Sequence, residues 1–374
     1  MSPGYGGAVT YSRDAFIDQV NRRCAAFLEE RRAEVSAISA DGAPLVEALS
    51  ALTSGGKKLR PALGWIGWRG AGGDPAPGSA AEDLGVALEL FQAAALVHDD
   101  VIDRSSTRRG QPSTHVRFEE LHRGAGFSGQ SHHFGTSGAI LSGDLALAWA
   151  GQAYAQAELA SGAVTRSDAL ARETFQRMHT SVITGQYLDV LAEVRRPAPT
   201  EAEAVARARG VLRHKSANYS TEYPVVLGCA LAGGSPALSD AFAAAALPAG
   251  EAFQLRDDIL GIFGDPETTG KPVGDDLREG KRTELIAYGL FRSSEAESEQ
   301  LSRMLGDPDL SEGQVDRARE ILVSSGALAE VERSIEELVE QSRRAEDPLR
   351  QAGVDDAVLD EFAEVRERLV RRSR

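Results

Sequence analysis

The densest chemistry in this sequence lies in Leu96-Val-His-Asp-Asp-Val-Ile-Asp103. Asp99 and Asp103 stand four residues apart, so on a helix they share one face, with Asp100 beside them. Carboxylates at that spacing repel unless positive charge lies between them. The Ala- and Leu-rich turns before them predict a partly buried wall, where the cost is larger. A hard divalent cation such as Mg²⁺ resolves the conflict, because it takes a few carboxylate oxygens and keeps sites for water and phosphate. An isolated DDxxD in an acidic protein reads equally well as a solvated helix end. This one has company. Arg108-Arg109-Gly110 follows closely, and Phe253-Gln-Leu-Arg-Asp-Asp-Ile-Leu260 places a second acidic pair, Asp257 and Asp258, at the end of another Ala-rich helix. Facing each other, the two ends would cage several Mg²⁺ ions, and the metals would hold a diphosphate.

Cations for a second anion are also present. Gly55-Gly-Lys-Lys-Leu-Arg-Pro61 opens a helix, with Pro61 tolerated in its first turn. The glycines let backbone N–H groups approach an anion, while Lys57 and Arg60 bring charge. A plain basic loop at a helix start is the competing reading. Lys215-Ser216, Lys271 and Lys281 add cations near helix breaks, and Gln186 and Asp189 lie three apart on one helix, where a buried structural pair is one reading.

The elements that must position these groups are helices. Apolar spacing of three and four recurs over 13–38, 44–69, 81–103, 137–160, 166–193, 201–232 and 236–263, then 283–291, 312–324, 327–344 and 356–372. Gly/Pro-rich breaks fall at 70–79, 123–138, 196–200, 233–236 and 264–280. The expectation is an all-α single domain spanning 1–374, with helices around a central cavity. Aromatics make up only 6% of the chain, and period-two runs of β-branched residues are hard to find. With 41 basic and 56 acidic side chains the formal net charge is -15, which argues against nucleic-acid binding and means an anionic substrate needs locally gathered cations or metal. Cys24 and Cys229 are the only cysteines, so disulfide frameworks and CxxC metal sites drop out. Residues 1–10 carry no basic cluster or apolar run, and no segment is long and apolar enough to span a bilayer. The expected location is cytoplasmic. The literal GxGxxG at 124–129 lacks a preceding strand, and His122, His132 and His133 lack partners at ligand spacing; both read as loop. Arg371, Arg372 and Arg374 read as a solvated helix end.

Taken in order, GGKKLRP (55–61), HDDVIDRSSTRRG (98–110), GQYLD (185–189), KS (215–216), FQLRDD (253–258) and TGKPVGDDLREGKRT (269–283) resemble the trans-isoprenyl diphosphate synthases, the polyprenyl synthetase family of the isoprenoid synthase fold. That resemblance implies a Mg²⁺-dependent prenyltransferase joining isopentenyl diphosphate to an allylic diphosphate, with three ions per site, working as a homodimer. It implies that Asp99, Asp103 and Asp257 hold metal, supported by Asp100 and Asp258. Arg108, Lys215, Ser216, Gln254, Lys271 and Lys281 would bind the allylic diphosphate. Lys57, Arg60, Gln92 and Arg109 would bind isopentenyl diphosphate. There are three departures. Gln92 stands where many members have histidine, Ser216 replaces threonine, and Gly261 replaces the aspartate that usually ends the second motif.

The resemblance also places the tail of the growing product along the helix bearing the first motif. Ala95 and Ala94, four and five residues before Asp99, are small where a farnesyl-making enzyme usually carries an aromatic ring. The next candidate floor is Phe91, roughly 12 Å below Asp99 at a rise of about 1.5 Å per residue, against about 5 Å per isoprene unit. The expected product is therefore geranylgeranyl diphosphate, with farnesyl or longer polyprenyl diphosphates as alternatives. A class I terpene cyclase would share the aspartate motif but has no need of GGKKLRP and Arg109. A catalytically silent partner subunit would be expected to lose the first aspartate set, which is intact.

Overall fold

The structure, a computed structural model, describes residues 11–162, 166–264 and 274–371. The chain runs through α1 (Arg13–Ile38), α2 (Ala43–Thr53), α3 (Leu59–Gly70) and α4 (Ala80–Ile102) to a two-stranded antiparallel ribbon, β1 (Thr107–Arg108) and β2 (Gln111–Pro112). Then come α5 (Thr114–Gly124), α6 (Ser131–Ser161), α7 (Arg166–Val194), α8 (Glu201–Val211), a π-helical stretch (Leu212–Glu222), α9 (Tyr223–Leu231) and α10 (Pro236–Phe263). Beyond residue 273 lie α11 (Asp275–Glu279), α12 (Glu284–Arg292), α13 (Glu295–Met304), α14 (Glu312–Ser324), α15 (Ala327–Arg344), α16 (Asp347–Gln351) and α17 (Asp356–Val370). The all-α expectation holds. The ribbon is the only sheet among the described residues.

α4 is the axis of the fold. Its first half is buried on every side from Ala80 to Phe91, and the three acids in it are paired, Glu82 and Asp83 with Arg23 and Glu89 with Lys58. Leu84, Leu88 and Leu90 are each 0% exposed, and each such side chain contributes about 1.5–3 kcal/mol over an exposed one. Towards its C-terminus one face opens: Gln92, Ala95, Leu96, His98 and Asp99 are only half-buried. One apolar core joins α4 to α1, α2, α3, α6, α7 and α9; a second joins α10 to the helices that follow it. The two great helices α4 and α10 thus each end, acid side first, at the same opening.

Two element boundaries differ from the spacing-based expectation. The run over 44–69 is broken at 54–58, where Lys58 adopts φ 49° and its ammonium is buried against Glu89 at 2.6 Å. In the 123–138 stretch, read as a break, α5 ends and α6 already begins at Ser131. Gly138 does not break α6; a Cβ there would lie 2.7 Å from the Phe118 ring, so glycine permits α5 to pack closely. Helices α5, α11, α13 and α16 are absent from the expected set because each is short or rich in charge.

Candidate active site

The first acidic end is built by α4 and the ribbon together. Arg109 (φ 54°) and Gly110 (φ 71°) form the two-residue turn of the ribbon, both left-handed, which matches the twist of the paired strands. This turn sends its two arginines in opposite directions. Arg108 folds back on α4, its Nε donating to Asp100 Oδ1 at 2.8 Å and its Nη2 to Asp99 Oδ2 at 3.2 Å. Arg109 reaches the GGKK loop, where Nη1 donates to the Leu52 carbonyl at 3.2 Å. A Cβ on Gly56 would lie 2.8 Å from Arg109 Nη2, so the guanidinium needs glycine there. Asp100 is 0% exposed and outside the cavity lining; it anchors Arg108.

The opposite wall comes from α7 and the π-helical stretch. Lys215 Nζ sits 3.0 Å from Asp99 Oδ1 and 2.6 Å from Asp189 Oδ2. Gln186 and Asp189 both line the cavity, and Asp189 is at the same time buried against Lys215. Ser216, Tyr219 and Ser220 line it too. Arg60 joins them from α3: its Nη2 donates to Ser220 Oγ at 2.7 Å, and its guanidinium carbon lies 4.2 Å from the Tyr219 ring centroid. Lys57 and Gln92 line the same end, and Gln92 Oε1 is a buried acceptor with no hydrogen bond. Lys57, Arg60, Gln92 and Arg109 therefore all line the one cavity.

The second acidic end brings Gln254, Asp257 and Asp258 to the cavity from α10. Gln254 Nε2 donates to Asp258 Oδ1 at 3.0 Å. Lys281 joins the first acidic end to α11, with Nζ 2.5 Å from Glu279 Oε2, 3.4 Å from Asp276 Oδ1 and 3.8 Å from Asp103 Oδ2. Lys271 lies outside the described residues.

The charges are mutually dependent. Burial alone would push the Asp99 carboxyl up, but Lys215, Lys281 and Arg108 hold it well below the usual range. Asp103 is pushed up to about 7, by burial first and then by Asp99. Asp258 is pushed up to about 8, by burial first and then by Asp276. Protein cations therefore suffice for Asp99 and fall short for Asp103 and Asp258. Further positive charge is what these acids lack, and carboxylate oxygens are the donors Mg²⁺ takes. Among the described residues no three such groups already close around a single point.

The cavity has a volume of about 1850 Å³, and its apolar lining includes Phe91, Ala95, Leu147, Val182 and Ile183. Phe91 meets His179 edge-on, with centroids 4.7 Å apart, and the Tyr219 ring at 6.0 Å. His179 in turn meets Phe175, which stacks on Tyr154 at 4.2 Å. Beyond this row of rings is a smaller cavity of about 430 Å³ lined by Gly151, Tyr154, Phe175 and His179. Ala94 does not share this face, contrary to expectation. Five residues on a helix turn about 140° away from Asp99, and Ala94 is 0% exposed within the helix-packing core.

Several groups in or beside the cavity were not singled out from the sequence: Tyr219 and Ser220 as partners of Arg60, His179 against Phe91, and Glu279 and Asp276 around Lys281. The motif TGKPVGDDLREGKRT contained the last two, but spacing alone did not say which acid faced inward.

A sequence model of the polyprenyl synthetase family matches residues 43–322. The geranylfarnesyl diphosphate synthase of Aeropyrum pernix is 33% identical over 298 residues, covering 79% of this chain and 84% of that protein. The geranylgeranyl diphosphate synthase of Sulfolobus acidocaldarius is 31% identical over 290 residues, covering 77% and 79%. Among solved structures, a geranylgeranyl pyrophosphate synthase of Corynebacterium glutamicum complexed with isoprenyl diphosphate and magnesium superposes with a TM-score of 0.88 at 36% identity, covering 97% of this chain and 100% of that one.

Proposed function

Since this chain belongs to the polyprenyl synthetase family, we propose that it is a short-chain prenyltransferase that extends an allylic diphosphate with isopentenyl diphosphate, and that its main product is geranylgeranyl diphosphate. The observation that carries this reading is the shared cavity: one lining that takes in acids from both α4 and α10, the cations Lys57, Arg60, Arg109, Lys215 and Lys281, and apolar side chains that include Phe91, itself packed on His179.

In this reading Asp99, Asp103 and Asp257 hold Mg²⁺, three ions per site, with Asp100 and Asp258 in support. Bound Mg²⁺ supplies neutralising charge to the departing diphosphate. The side chains do the rest. Lys215, Arg108, Lys281 and Gln254, with Ser216 and Lys271, bind the allylic diphosphate and stabilise charge as the C–O bond breaks. Lys57, Arg60, Arg109 and Gln92 hold isopentenyl diphosphate with its double bond facing the allylic carbon, so that a C–C bond forms and a proton is lost. The apolar shaft keeps water from the cation and accepts the tail. Phe91 bounds that tail, and the absence of a ring at Ala95 leaves room for C20 rather than C15.

A homodimer fits the outer face of α6, where Phe134, Ile140 and Leu141 are exposed at 36%, 41% and 55%. Among the described residues no helix is long and apolar enough to cross a membrane.

The test is incubation with isopentenyl diphosphate, an allylic primer and Mg²⁺, followed by chromatography of the dephosphorylated products. A linear C20 alcohol is expected. A cyclic hydrocarbon, no product, or a dominant C15 alcohol would each overturn part of the assignment: the reaction, the activity or the length.

A further inference from the structure

Position 261 follows Asp257 by four residues on α10, so the two share a helical face toward the cavity. Gly261 leaves that position without a side chain, and the space is taken. An ideal Cβ on Gly261 would lie 1.9 Å from Asp276 Oδ2 and 2.4 Å from its Cγ. The carboxylate of Asp276, delivered by α11, thus fills the volume that a residue at 261 would enter. Gly261 and Asp276 both line the cavity, and Asp276 is 9% exposed. Its Oδ1 lies 3.4 Å from Lys281 Nζ, the ammonium that also approaches Asp103.

We propose that Asp276 is the third carboxylate of the second acidic end, a positioning residue that stands in for a side chain at position 261 and orients the cation held there with Asp257 and Asp258. The inference rests on reading the cavity as a Mg²⁺–diphosphate site. Glycine at 261 and aspartate at 276 form one device: a Cβ at 261 would force the Asp276 carboxylate out, and losing Asp276 would leave α10 one acid short. The competing role is that Asp276 only fixes Lys281. That role touches the diphosphate and leaves the metal alone, so the two make different predictions.

The experiment is a thermal-shift titration of Mg²⁺ at saturating inorganic pyrophosphate, read as the Mg²⁺ concentration giving half the rise in melting temperature. Wild type, D276N, and the exchange variant G261D/D276G, which returns the carboxylate to α10, are compared. Loss of a group that orients a metal site weakens the metal by roughly 10–100-fold, so D276N should shift the midpoint upward by that factor. The exchange variant should return it to within about threefold of wild type, inside the scatter expected for a relocated ligand. If D276N fails to fold, D276S is titrated in its place. A D276N midpoint equal to wild type, or an exchange variant as weak as D276N, would overturn the proposal while leaving the site reading intact. A wild type that gains no stability from Mg²⁺ with pyrophosphate would sink the site reading and this inference with it.

Discussion

The rim and the floor of the cavity solve opposite problems. The rim concentrates charge: Asp99 is matched by Lys215 and Arg108, and Lys281 links Asp103 to the acids of α11. The floor is made of packed rings, Phe91 against His179 and Tyr219, with Phe175 and Tyr154 behind, and it meets the rim at Tyr219, whose face carries the Arg60 guanidinium. A rim of this kind sets whether and how fast the C–O bond breaks, because preorganised charge acts where charge develops. A floor of this kind sets when extension stops, because a close-packed ring does not yield to another isoprene unit. Damage to one should leave the signature of the other untouched, and that separation can be tested.

The largest effect belongs to the rim. Asp99→Ala or Asp103→Ala should lower turnover by roughly 10²–10³-fold or more, with circular dichroism unchanged. Any residual product should keep the wild-type length. Near-normal turnover in Mg²⁺, with chelator controls, would break the assignment of the acids.

Next in size is the isopentenyl end of the rim. Arg60 is held by Ser220 and by the Tyr219 face, so it is a planar, stacked guanidinium. Arg60→Ala should raise the KM for isopentenyl diphosphate about 10–100-fold, as expected for a lost charge-assisted hydrogen bond, while the primer's KM moves little. Arg60→Lys should rescue poorly. Equal effects on both substrates would show that the two diphosphate groups do not sort as the cavity suggests.

The same contrast governs what was legible in the sequence. The rim is written in local motifs, because paired acids at helical spacing and a Gly-rich basic loop carry their chemistry within a few residues. Nine of the eleven helical runs fall on single helices for the same reason, that burial on one face leaves a period, while 44–69 and 201–232 are each divided. The floor is assembled from α4, α7 and the π-helical stretch, so His179 and Tyr219 meet Phe91 only through tertiary packing. Ala94 is an expectation that fails. Helical spacing already turns it away from the face of Ala95 and Asp99, and the packing of α4 buries it completely. Gly261 is a second case, read from sequence as a missing acid, when the acid arrives from α11.

The floor predictions follow. Phe91→Ala should lengthen the product past C20, and adding His179→Ala should lengthen it further by opening the way to the smaller cavity behind the rings. Ala95→Phe should shorten it to C15. Ala94→Phe should leave product length alone and instead destabilise the core, by about 1–3 kcal/mol for an overpacked site. Chromatography of dephosphorylated products, beside a denaturant titration, separates these outcomes. A shift to C15 in Ala94→Phe with none in Ala95→Phe would mean that the shaft runs on the other side of α4.

The smallest effect on catalysis should come from a buried acid that belongs to neither region. Glu222 closes the π-helical stretch, lies outside the cavity lining, and has a buried Oε2 without a hydrogen bond. Its carboxyl is pushed up to about 7, by burial first, with Arg177 and Arg213 pulling it back and Glu251 adding to the rise. A carboxyl whose folded pKa is raised keeps its proton in the folded chain. The resulting stability is complete below the ordinary value of 4.5, falls as pH climbs from there towards 7, and is flat above. Glu222→Gln keeps the neutral shape at every pH. It should therefore remove this part of the pH dependence and stabilise the chain by about 1–3 kcal/mol at pH 8, discounted for the partial exposure of the group. Product length and turnover should stay at wild-type values. Denaturant melts at about pH 4.5 and 8, the two ends of this titration, provide the measurement. An unchanged slope between those pH values would show that Glu222 is ionised in the folded chain. A change in product length would show that the π-helical stretch couples its far end to the floor through Tyr219, and the clean division between rim, floor and scaffold would fail there.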